Sequence, residues 1–149
     1  MENTYNFILH DLLCLRDDKE LTNKFCHELV NGKINLEVEY LSEQQLAAEP
    51  YAELKSLLDQ GREANYLKLS HVKAQNFEGA ASCRERERKL LNQIETAGFR
   101  LHFMQHNEFT LYRVDMDKEE RKIKFLVHTN SEEFIGLMEE IREKIDVMK

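Results

Sequence analysis

The sequence predicts an α+β fold: a small antiparallel sheet of about four strands covered by helices, with an antiparallel helical hairpin inserted and projecting as an arm. Three observations carry that expectation. Between about residues 45 and 97, apolar side chains recur at helical spacing in two runs separated only by Gln75-Asn76. On either side of that block, four segments alternate apolar and polar residues with the period of a strand. One Pro and five Gly in 149 residues, with 33% charged, describe a helix-rich globular chain and not a disordered or fibrous one.

From the N-terminus, Tyr5 to Leu15 is apolar enough for a buried strand or a turn of helix, and periodicity does not choose between them. Asp17 or Asp18 then caps a helix that carries Leu21, Phe25, Leu29 and Val30 toward a core, and Gly32 is placed to end it in the left-handed conformation. In the segment that follows, Ile34, Leu36, Val38 and Tyr40 alternate with Asn35, Glu37 and Glu39, the pattern of a strand with one wet face. Past the hairpin, Gly98 closes a helix and three strands are expected. The first carries Phe99, Leu101 and Phe103; the second is lined by Phe109 and Leu111, or by Tyr112 and Val114; the third by Ile123, Phe125 and Val127. Asn130 or Ser131 caps a last helix whose core stripe is Phe134, Met138, Ile141 and Ile145. A three-stranded meander with one helix covers itself poorly, and an unpaired strand edge is costly, so the strand near residues 33–41 is expected to join that sheet. The platform is then residues 1–44 with 98–149, and the inserted arm is 45–97.

In the arm, Leu54, Leu57, Leu58, Ala64, Leu67, His71 and Ala74 form one stripe at helical spacing. Asn76 is a good N-cap for the second helix, and Glu78 places negative charge at the positive end of its dipole. Phe77, Ala80, Ala81 and Arg84 fall at i, i+3, i+4 and i+7, with Cys83, Leu90, Leu91 and Ile94 extending the same side, and the two alanines leave room for close approach of another backbone. The alternating run from Arg84 to Lys89 is a self-compensating solvated face on the simplest reading. Arg84 and Arg88 nevertheless point the same way, suited to acidic residues on a partner with Phe77 as the buried anchor.

The order Phe77-Glu78, Ala80-Ala81, Arg84-Glu85, Lys89-Leu90 resembles the UVR motif, a short helical hairpin of bacterial excinuclease subunits B and C, Clp-type ATPase subunits and activators of the arginine kinase system. The likeness is closest to the Clp version, in which a charged run ending in Leu follows the Arg. Gly79, Cys83 and Glu85 depart from the usual residues. The resemblance implies a docking element of coiled-coil character in a bacterial cytoplasmic adaptor. Its contacts would come from Phe77, Glu78, Ala80, Ala81, Arg84, Glu85 and Arg88, and its partner would be a Clp-type ATPase or an excinuclease-like subunit.

Composition narrows the alternatives. The formal charge of −7 opposes direct binding to a nucleic-acid backbone. Cys14, Cys26 and Cys83 are odd in number and lack metal-knuckle spacing, which fits a reducing cytoplasm and neither a disulfide framework nor a zinc site. No secretory leader and no membrane-spanning run is evident. His102 and His106 stand four apart with no neighbouring carboxylate or Cys to complete a metal site, and Cys26-His27 project in different directions from one helix. No phosphate loop, dinucleotide fingerprint, zincin helix or nucleophile elbow is present, so no cofactor and no catalysis is expected. Two other readings stand beside the docking module. One is a structural or self-assembling protein with the hairpin as its dimer core. The other is a small-ligand binder or enzyme with a pocket drawing on His27, His102, His106 or His128.

Overall fold

The computed structural model describes Leu12, Leu15, residues 18–104 and residues 107–149. In chain order the elements are α1 (Lys19–Asn31), β1 (Asn35–Tyr40), α2 (Glu43–Ala47), α3 (Ala52–Lys73), α4 (Phe77–Thr96), β2 (Arg100–Phe103), β3 (Phe109–Asp117), β4 (Lys122–Thr129) and α5 (Glu132–Met148). The fold is α+β, with one four-stranded sheet in the order β1-β4-β3-β2. The sheet is mixed, which corrects the expectation of an antiparallel one: β1 runs parallel to β4, with Leu36 opposite Ile123 and Val38 opposite Phe125. The reason is one of connection. Strands joined by a short turn have to reverse, whereas β1 and β4 are separated by a chain long enough to supply the crossover that parallel pairing needs.

The chain divides into two compact units, one formed by the described residues up to Tyr40 with Val114–Lys149 and the other by Leu41–Arg113. In the first, Asp18 caps α1 by accepting the amide of Leu21 at 3.0 Å. The face that α1 buries is Thr22, Phe25, Cys26 and Leu29, and Leu21 stands in solvent, contrary to the stripe expected for it. Thr22 is tolerated inside because its hydroxyl donates to the carbonyls of Leu15 and Asp18, at 2.5 and 2.8 Å. Leu12 and Leu15 are helical and buried; the rest of the Tyr5 to Leu15 segment, with Cys14 and Asp17, lies outside the described residues. Gly32 keeps a right-handed conformation (φ −77°), and Lys33 takes the left-handed turn instead (φ 52°).

Helices α1 and α5 pack together, and Cys26 Sγ lies 3.9 Å from the Ile141 carbonyl. Ser131 caps α5 through the amide of Phe134, and Phe134, Leu137, Met138, Ile141 and Ile145 are buried along it. On β4, Ile123, Phe125, Leu126, Val127 and His128 are all buried, so this strand is covered on both faces. Full burial of side chains of this size contributes about 2 kcal/mol each.

The second unit opens with α2, too short to show a periodicity. Its start is fixed by a capping box in which Ser42 and Gln45 exchange side-chain and backbone hydrogen bonds. Among the described helices, the antiparallel pair α3 and α4 makes the most extensive contact. Their common seam buries Leu54, Leu58, Ala64 and Asn65 of α3 and Ala80, Cys83, Leu90 and Ile94 of α4. Gly61 is buried on the side of α3 that faces β2, where a Cβ would stand in ordinary contact with Leu101 at 3.4 Å and Phe103 at 3.7 Å. Gly98 (φ +90°) turns the chain out of α4 into β2, which pairs antiparallel with β3.

Candidate functional site

The hairpin turn is built from three consecutive decisions. Ala74 ends α3 with its amide on the Ser70 carbonyl; Gln75 takes a left-handed conformation (φ 59°) with its amide on the Val72 carbonyl; and Asn76 opens α4 by accepting the Gly79 amide at 3.1 Å. The Asn76 Nδ2 also lies 3.2 Å from His71 Nδ1, which ties the end of one helix to the start of the next. Glycine at 79 has a physical reason here. A Cβ at that position would come within 2.7 Å of His71 Nδ1 and 2.8 Å of Asn76 Nδ2.

The seam of α4 recurs at Ala80, Cys83, half-buried Glu87, Leu90 and Ile94, alternating steps of three and four. That spacing separates residues that the sequence placed on one face. Ala80 and Cys83 are buried against α3, while Phe77, Ala81, Arg84 and Arg88 form an adjacent stripe in solvent, with Phe77 69% exposed. Glu78 and Glu85 are exposed as well, and Glu85 receives the Arg88 guanidinium at 2.7 Å. That hydrogen bond holds the Glu85 carboxyl below its ordinary range and raises the Arg88 guanidinium. Arg84 makes no ion pair with any described residue.

Sequence reasoning missed what α3 adds. Tyr66, Leu69 and Val72 are 60%, 44% and 40% exposed. Leu69 follows the seam residue Asn65 by one turn and Val72 follows Lys68 by one turn, so the exposed apolar surface of α3 runs toward the bend at which Phe77 begins α4. The available signal was a surplus: Leu67, Leu69 and Val72 in one helix end are more apolar residues than a single seam buries.

A polar cluster fixes the register of the pair. Lys68 Nζ lies 3.0 Å from Glu87, and the buried Asn65 amide donates to the same carboxylate at 3.5 Å, with Arg86 and Glu63 at 3.8 Å outside them. A half-buried carboxylate between an amide and an ammonium penalises sliding of one helix along the other, since a shift leaves those groups unpaired.

Among the described residues the candidate histidines stand on separate elements. His27 is exposed on α1, His128 is buried on β4, His102 is half-buried on β2 opposite Thr110, and His106 lies outside the described residues. Among the described residues no group of three or more His, Cys, Asp or Glu is arranged to hold a metal ion, and no helix is long and apolar enough to cross a membrane. Comparison with protein-family models, curated proteins and solved structures finds no match to this chain.

Proposed function

We propose that this protein is a non-catalytic interaction module of a bacterial cytoplasm that docks a protein partner on the turn-proximal face of its helical hairpin. One observation carries the reading. Of the seven large apolar or aromatic side chains exposed among the described residues, four, Tyr66, Leu69, Val72 and Phe77, fall within the two turns of helix either side of the hairpin bend. Exposed apolar groups gathered in this way mark interaction surfaces, whereas scattered ones need no explanation. Phe77 is the anchor, Leu69 and Val72 widen the apolar patch, and Ala81 keeps its flank low enough for a second helix.

Charge chooses between occupants. Arg84 brings a positive charge that nothing described on the chain balances, and Arg88 has Glu85 alone. Docking two copies through this face concentrates arginines, which disfavours self-assembly; an amphipathic partner helix with acidic flanks matches them. The likeness of the hairpin to the UVR motif names a partner class of that kind, a Clp-type ATPase in protein quality control, with an excinuclease-like subunit second.

The test is capture from a bacterial lysate by the full chain, followed by mass spectrometry, against a Phe77→Ala/Arg84→Ala variant whose fold is checked by circular dichroism. Recovery of a Clp-type ATPase by the wild type and not by the variant supports the reading, and it predicts a direct complex with the purified ATPase. Equal recovery by both, or a wild type that sediments as a dimer and captures nothing, overturns it.

A further inference from the structure

The bend that joins α3 to α4 is tied by two hydrogen bonds between the same two residues. The backbone amide of Asn76 donates to the His71 carbonyl at 2.8 Å, and the Asn76 side chain meets His71 Nδ1 at 3.2 Å. Chemistry fixes the direction of the second bond. The Gly79 amide can only donate, so the atom of Asn76 that lies 3.1 Å from it is the carbonyl oxygen. The other branch of that side chain is then its NH2 group, which also can only donate. His71 Nδ1 must therefore offer a bare lone pair, and a neutral ring that does so carries its proton on Nε2.

A second observation places the ring. A Cβ on residue 79 would stand 2.7 Å from Nδ1 and 2.9 Å from Cε1 of His71, so the edge of this half-buried imidazole lies over the first turn of α4, in the space that glycine leaves. The unpaired amides of a helix N-terminus oppose a cation in that seat. The charged and titratable groups of the two helices near the bend act unequally. On α3, Lys68 is held by Glu87 of α4, and Lys73 is exposed; on α4, Glu78 and Arg84 are exposed and Cys83 is buried in the seam. Lys73 opposes a proton on His71, whereas Glu78 and the C-terminal end of α3 favour one. Among the described residues Asn76 is the one hydrogen-bond partner of the ring. Protonation is thus open to His71, but a proton on Nδ1 sets one N–H against another and the ring has to leave Asn76.

We propose that His71 is a proton-operated latch on the hairpin bend: the neutral ring ties α3 to α4 through Asn76, and uptake of a proton on Nδ1 releases it. The bond is present at alkaline pH and is lost as pH falls through the interval of about pH 8 to 5 in which histidine changes charge. Val72 follows His71 and Phe77 follows Asn76, so the latch acts on the docking face described above. Joined to that reading, it makes docking weaker in acid; the latch itself is tested without any partner, so the failure of one is distinct from the failure of the other.

The test is a pH titration of the full isotope-labelled chain, reading the ring nitrogens of His71 and the hydrogen-exchange protection of the Gly79 amide, scaled to the unfolded rate at each pH. In the wild type Nδ1 should be bare at high pH. Protection of Gly79 should fall about fivefold as the ring takes up its proton, the equilibrium equivalent of one neutral hydrogen bond. His71→Gln has no ring to titrate and should abolish that dependence. Asn76→Asp keeps an oxygen to cap α4 but turns an acceptor toward His71, so the sign should reverse, with protection rising as the ring is protonated. A proton on Nδ1 of the wild type at high pH overturns the proposal. So does Gly79 protection that ignores the titration of His71, a dependence that survives His71→Gln, or an unchanged sign in Asn76→Asp.

Discussion

Asn76 works on two helices at once, and its neighbour Gly79 records the consequence. The amide of Asn76 reaches His71 while its oxygen caps α4, and the ring of His71 occupies the space a side chain at 79 would need. Asn76→Ala removes the cap and is expected to cost about 1 kcal/mol. Gly79→Ala gains about 1 kcal/mol of helix propensity, yet displaces His71 and forfeits a hydrogen bond worth about 1 kcal/mol. In the wild-type background the two effects cancel. In the Asn76→Ala background His71 has nothing left to lose, so Gly79→Ala is expected to stabilise by close to its full propensity gain. Chemical denaturation of the four proteins measures that coupling, and simple additivity would exclude it. Cys26 gives a second expectation. It is fully buried between α1 and α5, and burial raises its thiol pKa above the ordinary value, against the weaker opposing effect of Lys144. Above the ordinary thiol pKa the unfolded chain ionises while the fold does not. The contribution of Cys26 is therefore complete below that pH and declines as pH rises toward the folded value. Alkaline thermal melts of wild type and Cys26→Ala should converge as pH rises, and Cys26 should resist alkylation in the native protein at pH 8.

At the scale of elements, β1 shows both how far pattern reaches and where it stops. The alternation of Ile34, Leu36 and Val38 with Asn35, Glu37 and Glu39 made a strand with one wet face readable, and the need to cover edges made its joining of the sheet readable too. Alternation assigns faces and carries no information on direction, so the parallel pairing with β4 was not legible. That pairing puts two carboxylates of an edge strand beside two lysines: Glu37 contacts Lys122, and Glu39 lies 3.3 Å from Lys124. The hydrogen bond from Lys122 lowers the Glu37 carboxyl, and the same bond raises Lys122. Glu37 therefore stabilises above its unfolded pKa, and that contribution is lost as pH falls through the lower folded value. Lys122 stabilises below its unfolded pKa and loses its contribution as pH rises through the higher folded one. Glu37→Gln should melt below wild type at neutral pH, with the gap closing under acid and shrinking in 1 M salt, because the ladder is solvent-exposed and screened. A gap that survives both conditions would assign the effect to packing. Other elements divide by the same logic. The cap at Asn76 is local and was readable, and the cap of α5 was narrowed to Asn130 or Ser131, whereas the five-residue α2 offers no period and the left-handed turn falls on Lys33 and not on Gly32.

On the scale of the whole molecule, a formal charge of −7 opposes association with polyanions on average, while the exposed hairpin face carries Phe77 beside Arg84 and Arg88. Half of that face was legible: Phe77, Ala81, Arg84 and Arg88 follow from one helical period. Leu69 and Val72 were not, because a helix read alone cannot say which of its apolar residues its neighbour will cover. A cleft lined by Tyr51, Phe99 and Arg113 was invisible for the same reason, being assembled from residues far apart in sequence. The seam supplies a way to separate docking from folding. Asn65 and Glu87 face each other across it, and the ion pair of Lys68 with Glu87 and the bond between Asn76 and His71 are internal to the hairpin. Replacing residues 67–86 by a short glycine-containing turn therefore shortens both helices at matched levels and removes Leu69, Val72, Phe77 and Arg84 together. Contacts of Leu54, Leu58, Leu90 and Ile94 remain, so the shortened chain should fold and unfold cooperatively, with a melting temperature lowered by the loss of the distal packing. It should lose the partner that depends on Phe77. Retention of that partner by a folded, shortened chain would move the docking surface off the hairpin tip.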